Sequence, residues 1–269
     1  MLIEKGFIPG PKETEKQFLA RAEALNHFFS NPPENLDHFL TDGDWDSARE
    51  TTKHLFGFSP DWIVAYYSDA RLTFFQGAAT WIKSYNQIRI PVIQLKEKFE
   101  TGSLHRLYRR EEVLAHEAVH AARMQFDEPI FEEFFAYKTS PHGWRRFFGP
   151  IFQRPWEAYL FIVLLLIPLG LEISRFFYPD ISPHFVYLPF IFFAILLLRL
   201  TTLHVILAIA LRRLTGYLKS PERRLAAALC LTDREIFRVA SLPKKKLEKF
   251  LKKEHTLRWK LLRDSYFKK

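Results

Sequence analysis

Two long apolar runs, separated by six residues, constrain this chain more than any other feature. The first, Trp156 to Tyr178, is 23 residues long, about 34 Å as a helix and enough to cross a bilayer. Its uninterrupted apolar part is Ala158 to Leu171, and Glu172 and Arg175 follow near its end. Pro168 is placed to kink it, and Trp156, Tyr159 and Tyr178 suit the interfaces. The second run, Phe185 to Leu211, carries Arg199 and His204. It either spans whole, with Arg199 facing a neighbouring helix, or spans to Leu198 and lets Arg199 snorkel, with residues 200 to 218 along the surface. A buried soluble hairpin is a poor alternative for runs such as Phe190-Ile191-Phe192-Phe193-Ala194-Ile195-Leu196-Leu197-Leu198.

Lysine and arginine placement predicts the orientation. Lys138, Arg145, Arg146 and Arg154 precede the first run; Arg212, Arg213, Lys219, Arg223 and Arg224 follow the second; the connector, residues 179 to 184, has neither residue type. Positive flanks stay on the cytoplasmic side, so an integral protein of an inner or plasma membrane with both termini cytoplasmic is expected. No basic n-region followed by an apolar h-region opens the sequence, so no signal peptide is expected. The single cysteine, Cys230, excludes an intrachain disulfide.

The chemistry centres on His116-Glu117-Ala118-Val119-His120. Histidines at i and i+4 lie about 40° apart around a helix and can chelate one zinc ion through neutral ring nitrogens. Glu117 lies about 100° further round, placed to hold a water rather than to ligate. The residues from Leu107 to Gln125 lack Gly and Pro and carry an apolar face, which predicts one helix. Asp127-Glu128-Pro129 signals the start of the next. That helix sets Glu132 and Glu133 among phenylalanines. The two diverge by about 100°, so one leans toward the aromatic side, where a carboxylate is costly unless paired or metal-bound. One of them is therefore a candidate third ligand, with Glu128 and His142 as the remaining alternatives. Tyr137, one turn after Glu133, is placed to hydrogen-bond a developing oxyanion, with Tyr108 and His142 as competitors. Arg123 either pairs with Glu132 or is a surface arginine.

His-Glu-x-x-His followed by a helical Glu-x-x-Ala resembles the gluzincin metallopeptidases, in their compact, membrane-linked or stand-alone forms. The resemblance covers about residues 60 to 140. It implies zinc held by His116, His120 and Glu133, with Glu117 as general base. Two departures stand out: only twelve residues separate His120 from Glu133, and Tyr137 stands where several such families carry an acid.

Trp62 to Tyr67, Leu72 to Gln76 and Ile88 to Leu95 read as strands, the last demoted by Pro91 to an edge or interrupted strand. An exposed edge is where an extended peptide adds. The small residues from Gly77 to Thr80 suit a close backbone approach. Glu13 to Ser30, ended by Asn31-Pro32-Pro33, and Asp44 to Phe56 read as helices.

Charge is uneven. Residues 212 to 269 carry a net +12 and the rest −3. Thr232-Asp233-Arg234-Glu235 is a capping-box start, and Leu242-Pro243 opens a helix bearing Lys244-Lys245-Lys246. Beside a membrane such a cluster suits anionic headgroups; nucleic acid is the weaker rival, because no base-reading motif accompanies it. The expected fold is α+β: an N-terminal helical region (1–59), a small zincin-like domain with a short mixed sheet (60–142), a transmembrane helical hairpin (156–211) and a basic helical tail (212–269). The expected activity is zinc-dependent hydrolysis of protein or peptide substrates on the cytoplasmic side. The alternative is a non-catalytic membrane adaptor whose tail binds lipid or nucleic acid.

Overall fold

The computed structural model describes residues 3–30, 39–73, 76–85, 88–101, 103–104, 108–180, 182–253 and 256–267. The fold is mixed α+β, mostly helical, with a small mixed sheet and two long apolar helices. Helices α1 (Glu15–Ser30) and α2 (Asp42–Phe56) come first. The α1 stripe turns Phe18, Ala22, Leu25 and Phe28 inward, as its spacing predicts. The Asn31-Pro32-Pro33 terminator lies outside the described residues. Gly57, at φ 72°, closes α2 in the left-handed conformation that glycine adopts without strain.

Three strands form the main sheet, β1 (Val64–Tyr67), β2 (Ala78–Tyr85) and β3 (Ile88–Leu95), in the order β1-β3-β2. β1 runs parallel to β3, and β2 antiparallel. Two strand expectations are corrected here. β3 is the central strand despite Pro91. Its pairing with β1 begins only at Val64↔Val92, so residues 88 to 91 have β2 alone as neighbour and the proline sits at a local edge. The second strand is not Leu72 to Gln76. Leu72, Thr73 and Gln76 are irregular (Phe74 and Phe75 lie outside the described residues), and the strand starts after Gly77. The Gln94 side-chain amide donates to the carbonyls of Ser68 and Ala70, tying the preceding loop to the sheet instead of letting it pair.

A two-stranded ribbon, β4 (Ser103–Leu104) with β5 (Tyr108–Arg109), leads into α3 (Arg110–Arg123). Then come α4 (Pro129–Lys138) and the short α5 (Gly143–Phe148). α3 separates two cores. Leu114, Ala115, Ala118 and Ala121 pack with α1, α2 and the sheet. Val119 and Ala122 join Phe131, Phe134 and Phe135 of α4 in the other core. Each such phenylalanine contributes roughly 1.5–3 kcal/mol by leaving water.

The apolar runs form α6 (Pro155–Ser174) and α7 (Leu188–Leu214), both long and apolar enough to span a membrane. α6 packs on α7 and on the turn before it. α7 is one continuous helix, and one face of its inner half is buried in the protein. Leu200, Leu203, Leu207, Ala210 and Leu214 enter the core with α4 and the chain's last helices, whereas Phe190, Ile191, Ile195 and Leu198 are exposed. The boundary is Arg199, which donates to both oxygens of Glu157 at 2.6 and 2.8 Å and to the Ile151 carbonyl at 2.8 Å.

The basic tail folds as α8 (Pro221–Leu229), α9 (Asp233–Ser241), α10 (Lys244–Lys253) and α11 (Leu257–Leu262), followed by a π turn. The capping box at α9 forms: Thr232 N–H donates to the Glu235 carboxylate at 2.8 Å, and Glu235 N–H to the Thr232 hydroxyl at 3.1 Å. Ile236, Val239, Leu247 and Trp259 share the core of α4 and inner α7.

Candidate metal centre

α3 presents His116 and His120 on one face. Their rings are 5.0 Å apart between centroids, and the two Nε2 atoms are 3.2 Å apart. The Glu133 carboxylate of α4 meets both, at 3.7 Å from His116 Nε2 and 3.5 Å from His120 Nε2. A tetrahedral ion with bonds of roughly 2.0–2.1 Å sets its ligand atoms about 3.3 Å apart. The two Nε2 atoms and the Glu133 oxygens nearest them (Oε2 to His116, Oε1 to His120) already stand near that spacing, so the group of His116, His120 and Glu133 could hold a metal ion.

Glu132 takes a different place. Its carboxylate is 2.7 Å from His120 Nδ1, on the far side of that ring. A carboxylate there fixes the tautomer that leaves Nε2 free to ligate. The His116 ring is held by the Ala136 carbonyl and lies edge-on to Tyr137 at 4.6 Å. Both imidazoles are thus oriented by groups on α4.

Charge in the cluster is unbalanced. Burial, with help from neighbouring His120, drives the His116 pKa well below its usual value, so that ring is neutral. Burial also pulls on His120, but Glu133, Glu132 and Glu117 outweigh it and raise the pKa to about 10. Burial raises the Glu133 carboxyl above its usual range, against the pull of His120. A proton on His120 is what balances these carboxylates when no other cation is present. A divalent ion with neutral imidazoles and a carboxylate satisfies the same field, which is the second respect in which the residues fit a metal.

Glu117 is 8% exposed and accepts a hydrogen bond from the Thr80 hydroxyl at 2.7 Å. Thr80 belongs to β2, and Gly77 just before that strand, with Ala78 and Ala79 within it, lines the same cleft, of about 840 Å³. Tyr137 and Tyr108 line it too. Burial raises the Tyr137 pKa, with Glu133 adding to the shift, so its phenol stays a donor. His142 is the exposed N-cap of α5 and does not line the cleft. The Glu128 carboxylate is engaged by the Asp233 N–H at 2.5 Å.

Three contributors were not legible in the sequence as site residues. Thr80 is one. Glu112 is another: it receives Arg145 at 2.8 Å and the Ser140 hydroxyl at 2.6 Å, tying α3 to α5. The third is Asp233, whose carboxylate accepts the Ile130 and Phe131 N–H groups at 2.9 and 3.3 Å. Asp233 thereby caps the helix that carries Glu132 and Glu133, while Glu128 caps α9 in return. The expectation for Arg123 is corrected. It is fully buried rather than on the surface, donates to the carbonyls of Leu229 (a short contact) and Leu231 (3.0 Å), and pairs with Asp233 at 3.8 Å rather than with Glu132. Its sequence neighbourhood holds no sign of this, because its partners lie more than 100 residues on. No protein-family model matches the chain, and neither a curated protein nor a solved structure matches it.

Proposed function

We propose that this chain is a membrane-anchored zinc peptidase of the gluzincin type. The observation that carries the proposal is the meeting of two imidazole nitrogens and one carboxylate beside Glu117, on the wall of an open cleft. Three protein ligands and an open side are the pattern of catalytic zinc; a structural site is closed by four. Zinc bound there supplies Lewis acidity to a carbonyl and a water. Glu117, held by Thr80, accepts the water's proton and passes it to the leaving nitrogen. The Tyr137 hydroxyl donates to the oxygen that gains negative charge. Glu132 keeps His120 in the ligating tautomer. Among the described residues β2 pairs only with β3, so its other edge is open there to an extended peptide along the cleft.

α6 and the outer half of α7 anchor the chain in a membrane, with both termini on the cytoplasmic side by the positive-flank rule. The exposed lysines of α10 suit anionic headgroups. The test is Glu117→Gln in the full chain. One zinc per chain is retained and peptide hydrolysis falls by roughly 10²–10⁴. Equal hydrolysis by the variant would overturn the base assignment, and a wild-type chain that binds no zinc would overturn the proposal.

A further inference from the structure

One lip of the cleft is Phe152-Gln153-Arg154, and the next residue, Pro155, begins α6. Lip and hairpin are one piece. The Gln153 backbone N–H donates to Glu157 at 2.9 Å, and its side-chain amide donates to the Ile130 carbonyl of α4 at 3.4 Å. Arg199 closes the base by bonding Glu157 and the Ile151 carbonyl. Around this lip the chain exposes large aromatics, with Trp144 at 60%, Phe148 at 46%, Trp156 at 53% and Tyr159 at 55%. Aromatics with apolar bodies collect at the bilayer–water interface. Further along, Leu165, Leu166 and Leu169 of α6 and Phe190 and Ile195 of α7 are exposed with no protein cover. Arg154 on the lip and Tyr159 are five residues apart, roughly 8 Å along a helix. The headgroup layer therefore meets the edge of the cleft itself.

Resting on the peptidase reading, we infer that the substrate is the water-exposed segment of another membrane-inserted polypeptide, cut immediately outside the bilayer. Such a segment leaves its own membrane helix unpaired and extended, the form that adds to the free edge of β2. Lateral diffusion delivers it to a cleft already at headgroup level, at an effective concentration no free peptide reaches. A soluble chain would have to approach a mouth partly faced by lipid.

The experiment uses the full zinc-loaded chain in vesicles of phosphatidylcholine and phosphatidylglycerol. The probe is a polyleucine membrane helix followed by one unstructured segment of mixed sequence, with Gly-Ser spacers of zero, about 3 or about 6 residues between them, each residue adding roughly 3.3 Å of reach. The same segment is also supplied free in solution. The expected result, read by mass spectrometry, is that cut sites move back through the sequence as the spacer grows, staying within about 10 residues of the bilayer. The free segment is cut at least about 10-fold more slowly at equal total concentration. Cut sites fixed in sequence whatever the spacer, or a free segment cut as fast as the tethered one, would overturn the inference while leaving the peptidase reading standing. No cutting of any probe beyond that of Glu117→Gln would overturn the peptidase reading, and the inference with it.

Discussion

Two clusters of buried charge share the α3–α4 pair and are built on opposite plans. At the tail junction, Arg123 and Arg258 are set against carboxylates and carbonyls of the same chain. Arg258 meets Glu235 through two bonds of 2.8 Å and also reaches the Cys230 carbonyl at 2.6 Å, while Trp259 donates to Glu235 as well. At the candidate metal centre three carboxylates surround two imidazoles, and their field favours a proton on His120 as countercharge. The first cluster carries its own countercharge and is shut away from water. The second opens on a cleft and has room for an ion from outside. Burial and polarity alone do not distinguish a structural cluster from a binding site; the source of the countercharge does.

Four experiments break or sharpen that contrast. The largest effect is expected at the tail junction. Arg258→Met leaves Glu235 buried without its partner and should cost roughly 3–5 kcal/mol in chemical denaturation, with much of it recovered in Arg258→Met/Glu235→Leu. A loss the double variant does not recover would mean that the pair does more than balance charge. Next is Glu132→Gln at the metal centre. It should weaken zinc binding roughly 10–100-fold in a competition titration while barely changing the folding of the metal-free chain. An unchanged affinity would deny Glu132 its role behind His120.

Asp233→Asn couples the two clusters. Losing a charged cap should cost about 1 kcal/mol and loosen the first turn of α4, seen as faster amide exchange at Ile130 and Phe131. Unchanged exchange at both would place the α4 cap elsewhere.

The smallest signals are pH slopes of opposite hand. Burial raises the Glu235 carboxyl, but Arg258, with Thr232 and Trp259, outweighs it and holds the carboxyl below its usual range. Its contribution is present above the unfolded value near 4.5 and is lost as pH falls through the lowered folded value. The stability gap between wild type and Glu235→Gln should therefore be flat above about pH 4.5 and close on acidification. His120 is raised from 6.5 to about 10, so in metal-free protein its contribution is full below pH 6.5 and disappears as pH climbs through about 10. The gap to metal-free His120→Gln should close in the alkaline direction. Zinc should abolish that alkaline closure and release a proton on binding, because the ligating ring is neutral.

Much of the candidate metal centre was legible because its signals are local. Two histidines four apart and a carboxylate between phenylalanines need only helix geometry to be recognised. The choice between Glu132 and Glu133 was not local. It depends on how α4 crosses α3, which sends one carboxylate to the face of the two Nε2 atoms and the other behind His120. Thr80 was hidden because a strand residue 37 positions before Glu117 carries no periodic sign of its target. Pro91 misled because the edge rule applies to each flank of a strand, and β1 is too short to reach the proline. In α7, hydropathy alone cannot separate an exposed apolar face from one that meets α9. Only the partner differs, and Arg199 marks the change.

The continuity of α7 across that boundary limits how the chain can be trimmed. Cutting the chain ahead of the hairpin would strip Leu200, Leu203, Leu207 and Ala210 from the interior and leave Phe131 and Phe134 bare. A shortened derivative would instead splice Gln153 to a point near Leu200, discarding the exposed greasy loop and keeping the rod beneath it.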